Sequence, residues 1–292
     1  MAVDGVSVVI PAYNEEAGIA GDIKTIHEAF HKAGLPYEII VVDDGSRDKT
    51  AEEARRAGGV RLIRHRANRG VGAARKTGIK AARHELVVTT DGDGTYPNHM
   101  MPELVERLKD NDMVVGARTG ATVAVSWLRV PAKWFIRRLA CYLTRTEIPD
   151  LNSGLRAFRK SDALRYFYLL PESHSWEATI TLAYLCDHHA VDFFPVDYYA
   201  RKGKSSFHPV YDTTNYISLV IRTIMYFNPL RIFIPLSLVI GAAAFAKMTY
   251  DFLLYHHIGG FDVVFMTSAI LIGCMGLLAD LMVVLHRKIE PK

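Results

Sequence analysis

Asp91-Gly92-Asp93 closes the apolar run HELVVTT and is the chain's clearest candidate for chemistry. Side chains two apart on an extended backbone point the same way. Two carboxylates there can converge on one hard cation, with Gly92 leaving room for a phosphate to approach. Mg²⁺ or Mn²⁺ held in this way neutralises a diphosphate as it leaves. Asp-Gly is also common turn chemistry, so the pair taken alone carries both readings. Asp43-Asp44-Gly45-Ser46 ends a second apolar run, YEIIVV, and suits a hydrogen-bonding partner for a base or ribose. It equally suits an N-cap and turn ahead of a helix opening near Asp48. In RGVGAAR, Arg69 to Arg75, Gly70 and Gly72 fall at a helix start, where backbone amides can meet a phosphate or small residues can permit close packing. The third glycine of a dinucleotide fingerprint is missing and the motif follows the third strand, which disfavours a Rossmann dehydrogenase.

These motifs need a scaffold that brings strand ends together, and the periodicity supplies one. VSVVIP, YEIIVVDD, VRLIRH, HELVVTTD and DMVVGA read as strands, and Ala17 to Lys32, Lys49 to Ala57, Val71 to Ala82 and Met101 to Lys109 read as helices. Strand and helix in alternation predict an α/β domain with a mostly parallel sheet covered on both faces. Ligands of such sheets bind beyond the carboxyl ends of the strands, which is where AYNEE, DDGS and DGDGTYP fall. HSWEATITLAYL, His174 to Leu185, reads as a helix near the site, with Glu177 a minor candidate for sugar contact.

The C-terminal third changes character. Residues 211–231 predict an amphipathic juxtamembrane helix, and two apolar runs, 232–255 and 261–285, are each long enough to cross a bilayer. A transmembrane hairpin over 232–287 follows, after a catalytic domain over 1–210. Few charges interrupt these runs, which argues against a pair of buried core helices. Lys247 and Asp251 lie four apart toward the far end of the first span and can pair or snorkel. Arg222 and Arg231 precede the hairpin, Arg287, Lys288 and Lys292 follow it, and the turn from Tyr255 to Asp262 has no Lys or Arg. That asymmetry predicts both termini and the catalytic domain on the cytosolic side. The N-terminal apolar run, Val6 to Pro11, is too short for a signal-peptide core, in agreement. The segment Val125 to Arg145 interleaves Trp127, Trp134 and Phe135 with basic residues and suits either a headgroup layer or packing on the domain.

Composition narrows the field. With 292 residues, 50% hydrophobic and 23% charged, the chain combines an ordinary domain with something lipid-embedded. A net charge of +4 suits an anionic ligand or membrane surface and is too small to argue for nucleic acid. Cys141, Cys186 and Cys274 show neither CxxC nor metal-ligand spacing and read as ordinary thiols in a reducing compartment.

Taken in order, PAYNE (Pro11 to Glu15), DDGS, RGVGAAR, DGDGTYP, VGAR (Val115 to Arg118), DLNSGLRAFR (Asp150 to Arg159) and RKGKSSFHP (Arg201 to Pro209) resemble glycosyltransferase family 2. Within that family they are similar to the polyprenyl-phosphate sugar synthases, such as dolichol-phosphate mannose synthase and undecaprenyl-phosphate glucosyltransferases. The resemblance covers nearly the whole chain. It implies a GT-A fold, amphipathic interfacial helices before the hairpin, and inverting, single-displacement transfer of a hexose. The donor would be a UDP- or GDP-sugar and the acceptor an undecaprenyl or dolichyl phosphate. By motif position, Pro11, Tyr13, Glu15, Val41 and Asp43 would hold the nucleoside, while Asp91, Gly92 and Asp93 would hold ribose, diphosphate and metal. Arg118, Arg201 and Lys204 would bind donor diphosphate or acceptor phosphate. Asp150 would be a base or sugar-orienting carboxylate, or else a cap on the turn that follows it. Thr95 stands where the family often has a metal-contacting Gln and would ligate Mg²⁺ or Mn²⁺ more weakly or through water. Homo-oligomerisation is a further expectation the resemblance carries.

A processive polysaccharide synthase would carry a QxxRW motif, and the chain has no glutamine. A non-catalytic nucleotide-sugar-binding scaffold would be free to lose the acidic pair, which is present. A family 2 transferase with a different acceptor stays open on sequence alone.

Overall fold

The computed structural model describes residues 5–118, 138, 140–142, 144–172, 175–200, 221–223 and 225–289, and the chain divides into two compact units, 1–220 and 221–292. Each of the five apolar runs forms a strand: β1 (Val6–Ala12), β2 (Tyr37–Asp43), β3 (Val60–Arg64), β4 (Leu86–Thr89) and β5 (Met113–Arg118). Between them lie α1 (Ile19–Ala33), α2 (Thr50–Ala57), α3 (Val71–Ala81), a 3₁₀ turn at Asn98–Met100 and α4 (Met101–Arg107). Two further strands complete the sheet, β6 (Arg156–Arg159) and β7 (Val191–Val196), and two further helices join them, α5 (Lys160–Arg165) and α6 (Trp176–Cys186).

The strand order is β3-β2-β1-β4-β6-β5-β7. β1, β2, β3 and β4 run parallel, as do β5 and β7, and β6 is antiparallel to both its neighbours. The sheet is therefore mixed. Its parallel half reverses direction of winding between β1 and β4, the type of switch point where open α/β sheets form a crevice.

β1 is buried along its whole length, as a strand covered on both faces must be. Val6, Val8, Ile10, Ile39 and Val41 pack with Ile19, Ile23, Ile26 and Phe30 of α1 and with Leu104 and Val105 of α4. On the opposite face Gly78 brings α3 so close to the sheet that a Cβ would overlap Val9 and crowd Val42.

In the second unit, α7 (Leu230–Tyr255) and α8 (Gly260–Ile289) form an antiparallel hairpin, both long and apolar enough to cross a membrane. Their large apolar side chains face outward: Val239, Leu253, Tyr255 and Met282 are each 67–70% exposed. Helices buried in a soluble core would not show this. The seam is built from small residues, which let two helix backbones approach closely. Ser237 Oγ donates to the Ala269 carbonyl at 2.9 Å, and a Cβ on Gly276 would lie 2.5 Å from Phe233 Cβ. Lys247 pairs with Asp251 at 2.5 Å, as its spacing predicts, and also with Asp262 at 2.6 Å. None of the three cysteines is in a disulfide.

The predicted amphipathic helix over 211–231 lies outside the described residues except at its C-terminal end, where residues 221–223 and 225–227 are helical. The basic segment Val125 to Arg145 lies mostly outside them too.

Candidate active site

A cleft of about 470 Å³ opens at the carboxyl ends of β1 and β4. Pro11 and Ala12 line it from the end of β1, Tyr13 and Glu15 from the loop that follows, Asp91, Gly92 and Asp93 from the loop after β4, and Asp44 from just past β2. Asn68, Gly70, Val71 and Ala74 come from the start of α3, and Glu177 from the first turn of α6.

Reciprocal bonds lock the loops that deliver these groups. Asn14, held at φ 56°, donates its N–H to Ser46 Oγ at 3.0 Å and accepts from the Arg47 N–H at 2.9 Å. Glu15 N–H donates to Thr50 Oγ1 at 2.8 Å. The PAYNE and DDGS loops are thus tied together, with Tyr13 and Glu15 presented to the cleft.

The two aspartates of DDGS divide the work. Asp43 Oδ1 accepts the Ser46 N–H at 2.8 Å, and Arg64 Nε lies 2.9 Å from Oδ2, so Asp43 is fully buried closing its own turn. Asp44 faces the cleft and accepts the N–H groups of Arg69 and Gly70 at 2.8–3.1 Å, with His65 Nδ1 at 2.6 Å. Of the two glycine amides that could meet a phosphate, that of Gly70 is spent on a carboxylate. Val41, expected at the nucleoside, is buried in the core three residues before Asp44 and does not line the cleft.

Asp91 and Asp93 both reach the cleft, from a loop rather than from extended strand, because β4 ends at Thr89. Asp22 on α1 shapes that loop, accepting the Gly94 N–H at 2.9 Å and Asn98 Nδ2 at 2.8 Å. Gly18 allows the close approach, since a Cβ there would lie 2.8 Å from the Gly92 carbonyl oxygen. A Cβ on Gly92 would point inward at Ile19 and Ile10, so that glycine also serves packing, while its backbone lines the cleft. Thr95 is fully buried and does not line the cleft; its hydroxyl donates to Asp93 Oδ1 at 2.6 Å and its N–H to the same oxygen at 3.2 Å. It orients Asp93 where a ligand was expected.

Arg75, at the end of RGVGAAR, was not singled out from sequence. Its guanidinium is fully buried, with Nη2 donating to Asp91 Oδ1 at 2.6 Å and Nη1 to Glu177 Oε1. Burial would lower its pKa, but the two carboxylates more than compensate and hold it above the usual arginine value. Gly154 of DLNSG also packs close to Asp91; a Cβ there would lie 2.6 and 2.8 Å from the two carboxylate oxygens. The Gly154 N–H donates to Tyr96 Oη at 2.7 Å, and burial together with the Asp91 charge drives the Tyr96 phenol well above its ordinary range. Arg156 is also fully buried, bonded to the carbonyls of Ser153 and Glu177 and to Thr181 Oγ1, and burial brings its pKa down to about 10.

Arg118 and Asp150 come together as a bidentate pair, Nε to Oδ2 at 2.6 Å and Nη2 to Oδ1 at 2.9 Å. Burial would raise the Asp150 carboxyl, but the Arg118 hydrogen bonds and charge hold it below the usual carboxylate value. The Asn152 N–H also donates to Asp150 at 3.0 Å, the capping contact that sequence left open. Neither residue lines the 470 Å³ cleft. Arg201 and Lys204 lie outside the described residues.

The donor set of the cleft fits a hard divalent cation. Mg²⁺ and Mn²⁺ are commonly held by one or two carboxylates, with water and substrate phosphate oxygens completing the shell. Asp91 and Asp93 offer two carboxylates at one mouth, and among the described residues no group of three or more His, Cys, Asp or Glu forms a self-sufficient site.

A glycosyl transferase family 2 model matches residues 7–167, more than half of the chain, and a GtrB C-terminal hairpin model matches residues 228–285. The chain belongs to glycosyl transferase family 2. It is 37% identical over 165 residues to an undecaprenyl-phosphate 4-deoxy-4-formamido-L-arabinose transferase of Pseudomonas aeruginosa, covering 54% of this chain and 48% of the relative. A protein of the same name from Aeromonas hydrophila is 35% identical over 160 residues, covering 53% and 49%. The chain thus spans about half the length of the curated relatives it matches. Among solved structures, glucosyl-3-phosphoglycerate synthase of Mycobacterium tuberculosis, crystallised with Mn²⁺, UDP and phosphoglyceric acid, superimposes with a TM-score of 0.59. It is 22% identical and covers 75% of this chain and 78% of its own, a likeness of fold that makes the first unit GT-A-like.

Proposed function

We propose that the chain is an inverting, metal-dependent glycosyltransferase that moves a hexose from a UDP- or GDP-sugar to a polyprenyl phosphate at the cytosolic membrane face. One observation carries the reading: Asp91 and Asp93 open side by side into the crevice where β1 and β4 diverge, in a family 2 domain followed by an apolar hairpin. The curated relatives are named as undecaprenyl-phosphate sugar transferases, which supports a lipid phosphate as acceptor.

Tyr13 and Glu15 stand where they can hold the nucleoside of the donor, and Asp91 and Asp93 where they can hold its diphosphate through Mg²⁺ or Mn²⁺. The cation supplies charge neutralisation for the departing nucleoside diphosphate. A lipid phosphate is already anionic near neutral pH, so its oxygen can attack the anomeric carbon with little help from a base. The bond to the diphosphate breaks as the new one forms. Catalysis then rests on positioning and on charge complementarity. Arg118, Arg201 and Lys204 are assigned to the donor diphosphate or the acceptor phosphate. Asp150 orients Arg118, a role its bidentate pairing favours over that of a base. The hairpin anchors the chain as two spans, with catalytic unit and both termini cytosolic on the strength of the flanking Lys and Arg residues.

The test is a panel of labelled nucleotide sugars offered to the purified full chain with Mn²⁺ and a polyprenyl phosphate, scored by label entering the organic phase. Lipid-linked product from at least one donor supports the proposal. A full panel without product overturns it.

A further inference from the structure

Burying an ion triad is an expensive way to stabilise a fold, since desolvation offsets most of the attraction and well-packed apolar residues often do as well. The Arg75 triad at the cleft wall therefore calls for a reason other than stability. Its guanidinium has no exposed surface, and the Trp176 ring lies against it with the centroid 5.3 Å from Cζ, which fixes the plane of the fork. One arm of the fork ends on Asp91 and the other on Glu177, residues brought together from 16 and 102 positions away. The Gly154 backbone approaches the Asp91 carboxylate so closely that a Cβ would overlap both oxygens, and the Asp91 side chain still keeps 32% of its surface accessible. Asp91 is thus held by Arg75 and confined by Gly154 while staying open to the cleft.

We infer that Arg75, backed by Glu177, is a positioning residue that sets the orientation of the Asp91 carboxylate for a divalent cation bound with a nucleoside diphosphate. The inference rests on the functional reading above and adds to it a residue that acts through Asp91. Arg156, also fully buried, lies over the same Trp176 ring at 5.8 Å and donates to the Glu177 carbonyl, so the wall holds two guanidiniums against two carboxylates, and the part specific to Arg75 is its fork on Asp91. Lysine cannot replace it, because a single ammonium lacks the planar fork that spans two carboxylates in fixed geometry.

The experiment is calorimetric titration of Mn²⁺ into the full chain in detergent, with saturating UDP or GDP, alongside thermal melting. Arg75→Lys keeps the buried charge and should melt close to wild type. Outer-shell partners of metal ligands are worth roughly 10- to 100-fold in metal affinity, and a loss of that size is expected for Arg75→Lys. The apparent KM for Mn²⁺ should rise more than kcat falls. The double variant Arg75→Met/Glu177→Gln removes Arg75 together with its Glu177 partner, leaves Arg156 held by the Ser153 and residue-177 carbonyls and Thr181, and should show the same loss. Either variant folding and binding Mn²⁺ within threefold of wild type overturns the inference. If wild type itself binds no Mn²⁺ with either nucleotide, the functional reading fails first and this one with it, a result told apart because the variants play no part in it.

Discussion

Arg118 and Asp150 meet through two parallel hydrogen bonds, 2.6 and 2.9 Å long, across 32 residues of sequence. Asp150→Asn keeps the shape and removes the charge, and hydrogen bonds to charged groups contribute about 1.5 to 3 kcal/mol each way such a pair is broken. A stability loss in that range at pH 7 is expected in denaturant titration. Because the folded carboxyl titrates below its unfolded value, its contribution is complete above about pH 4 and fades as pH falls through the folded value. The gap between wild type and Asp150→Asn should therefore narrow below about pH 4. A gap independent of pH would contradict the pairing.

Gly154→Ala tests the close approach on Asp91. The backbone tolerates alanine there, since Gly154 is not among the residues with positive φ, but the added methyl would lie 2.6 Å from a carboxylate oxygen. Overpacking of this kind costs about 1 to 3 kcal/mol. The larger effect should be functional: Mn²⁺-dependent nucleotide binding weakened about tenfold, as for an outer-shell change. Equilibrium dialysis with Mn²⁺ and UDP or GDP reads it.

Thr95→Val removes the hydroxyl that donates to Asp93 at 2.6 Å while keeping a branched side chain in a fully buried site. Thr95→Ser retains the donor. Valine should lower kcat/KM by about 10-fold, in line with a lost orienting bond, and serine should stay within a few-fold of wild type. Equal losses for both would mean that packing, and not the hydroxyl, is what Asp93 needs.

In the hairpin, Gly276→Leu would force a side chain into the 2.5 Å space before Phe233 Cβ. The helices should splay, and thermal melting in detergent should show the hairpin losing helix before the first unit does. Gly260→Ala, where nothing stands within 4 Å, is the control and should melt as wild type.

Much of this architecture was legible because β-branched runs bounded by polar turns are unambiguous strands, and because ligand-binding loops must follow them in a parallel sheet. β6 was not legible: RAFR is four residues long, half of them charged, and Arg156 is buried only because Thr181 and backbone carbonyls satisfy it. β7 carries Asp192 and Pro195, both of which weaken a strand pattern. At the site, the carboxylates of DGD could be read from type and spacing, and the roles within DDGS could not. Asp43 and Asp44 are adjacent, and only the turn of the chain decides that the second reaches the cleft. Val41 shows the same limit, since its side chain falls on the core face of β2. Arg75 had no local signal at all, because its partner Glu177 is 102 residues away and a lone arginine in a helix reads as solvated. Asp22 was hidden likewise, as one acidic residue in the first turn of an amphipathic helix.

The central claim is sugar transfer to a lipid phosphate through the Asp91-Asp93 cleft, and one comparison tests it most directly. The full chain and its Asp93→Asn variant are given Mn²⁺, the active labelled nucleotide sugar, and in parallel a polyprenyl phosphate, the matching polyprenol and a soluble phosphate ester. Label should enter the lipid phase only with wild type and the polyprenyl phosphate, and Asp93→Asn should lose at least about 100-fold in rate, the scale of a lost transition-state charge contact. Transfer undiminished in Asp93→Asn, or equal transfer to the polyprenol, would contradict the account.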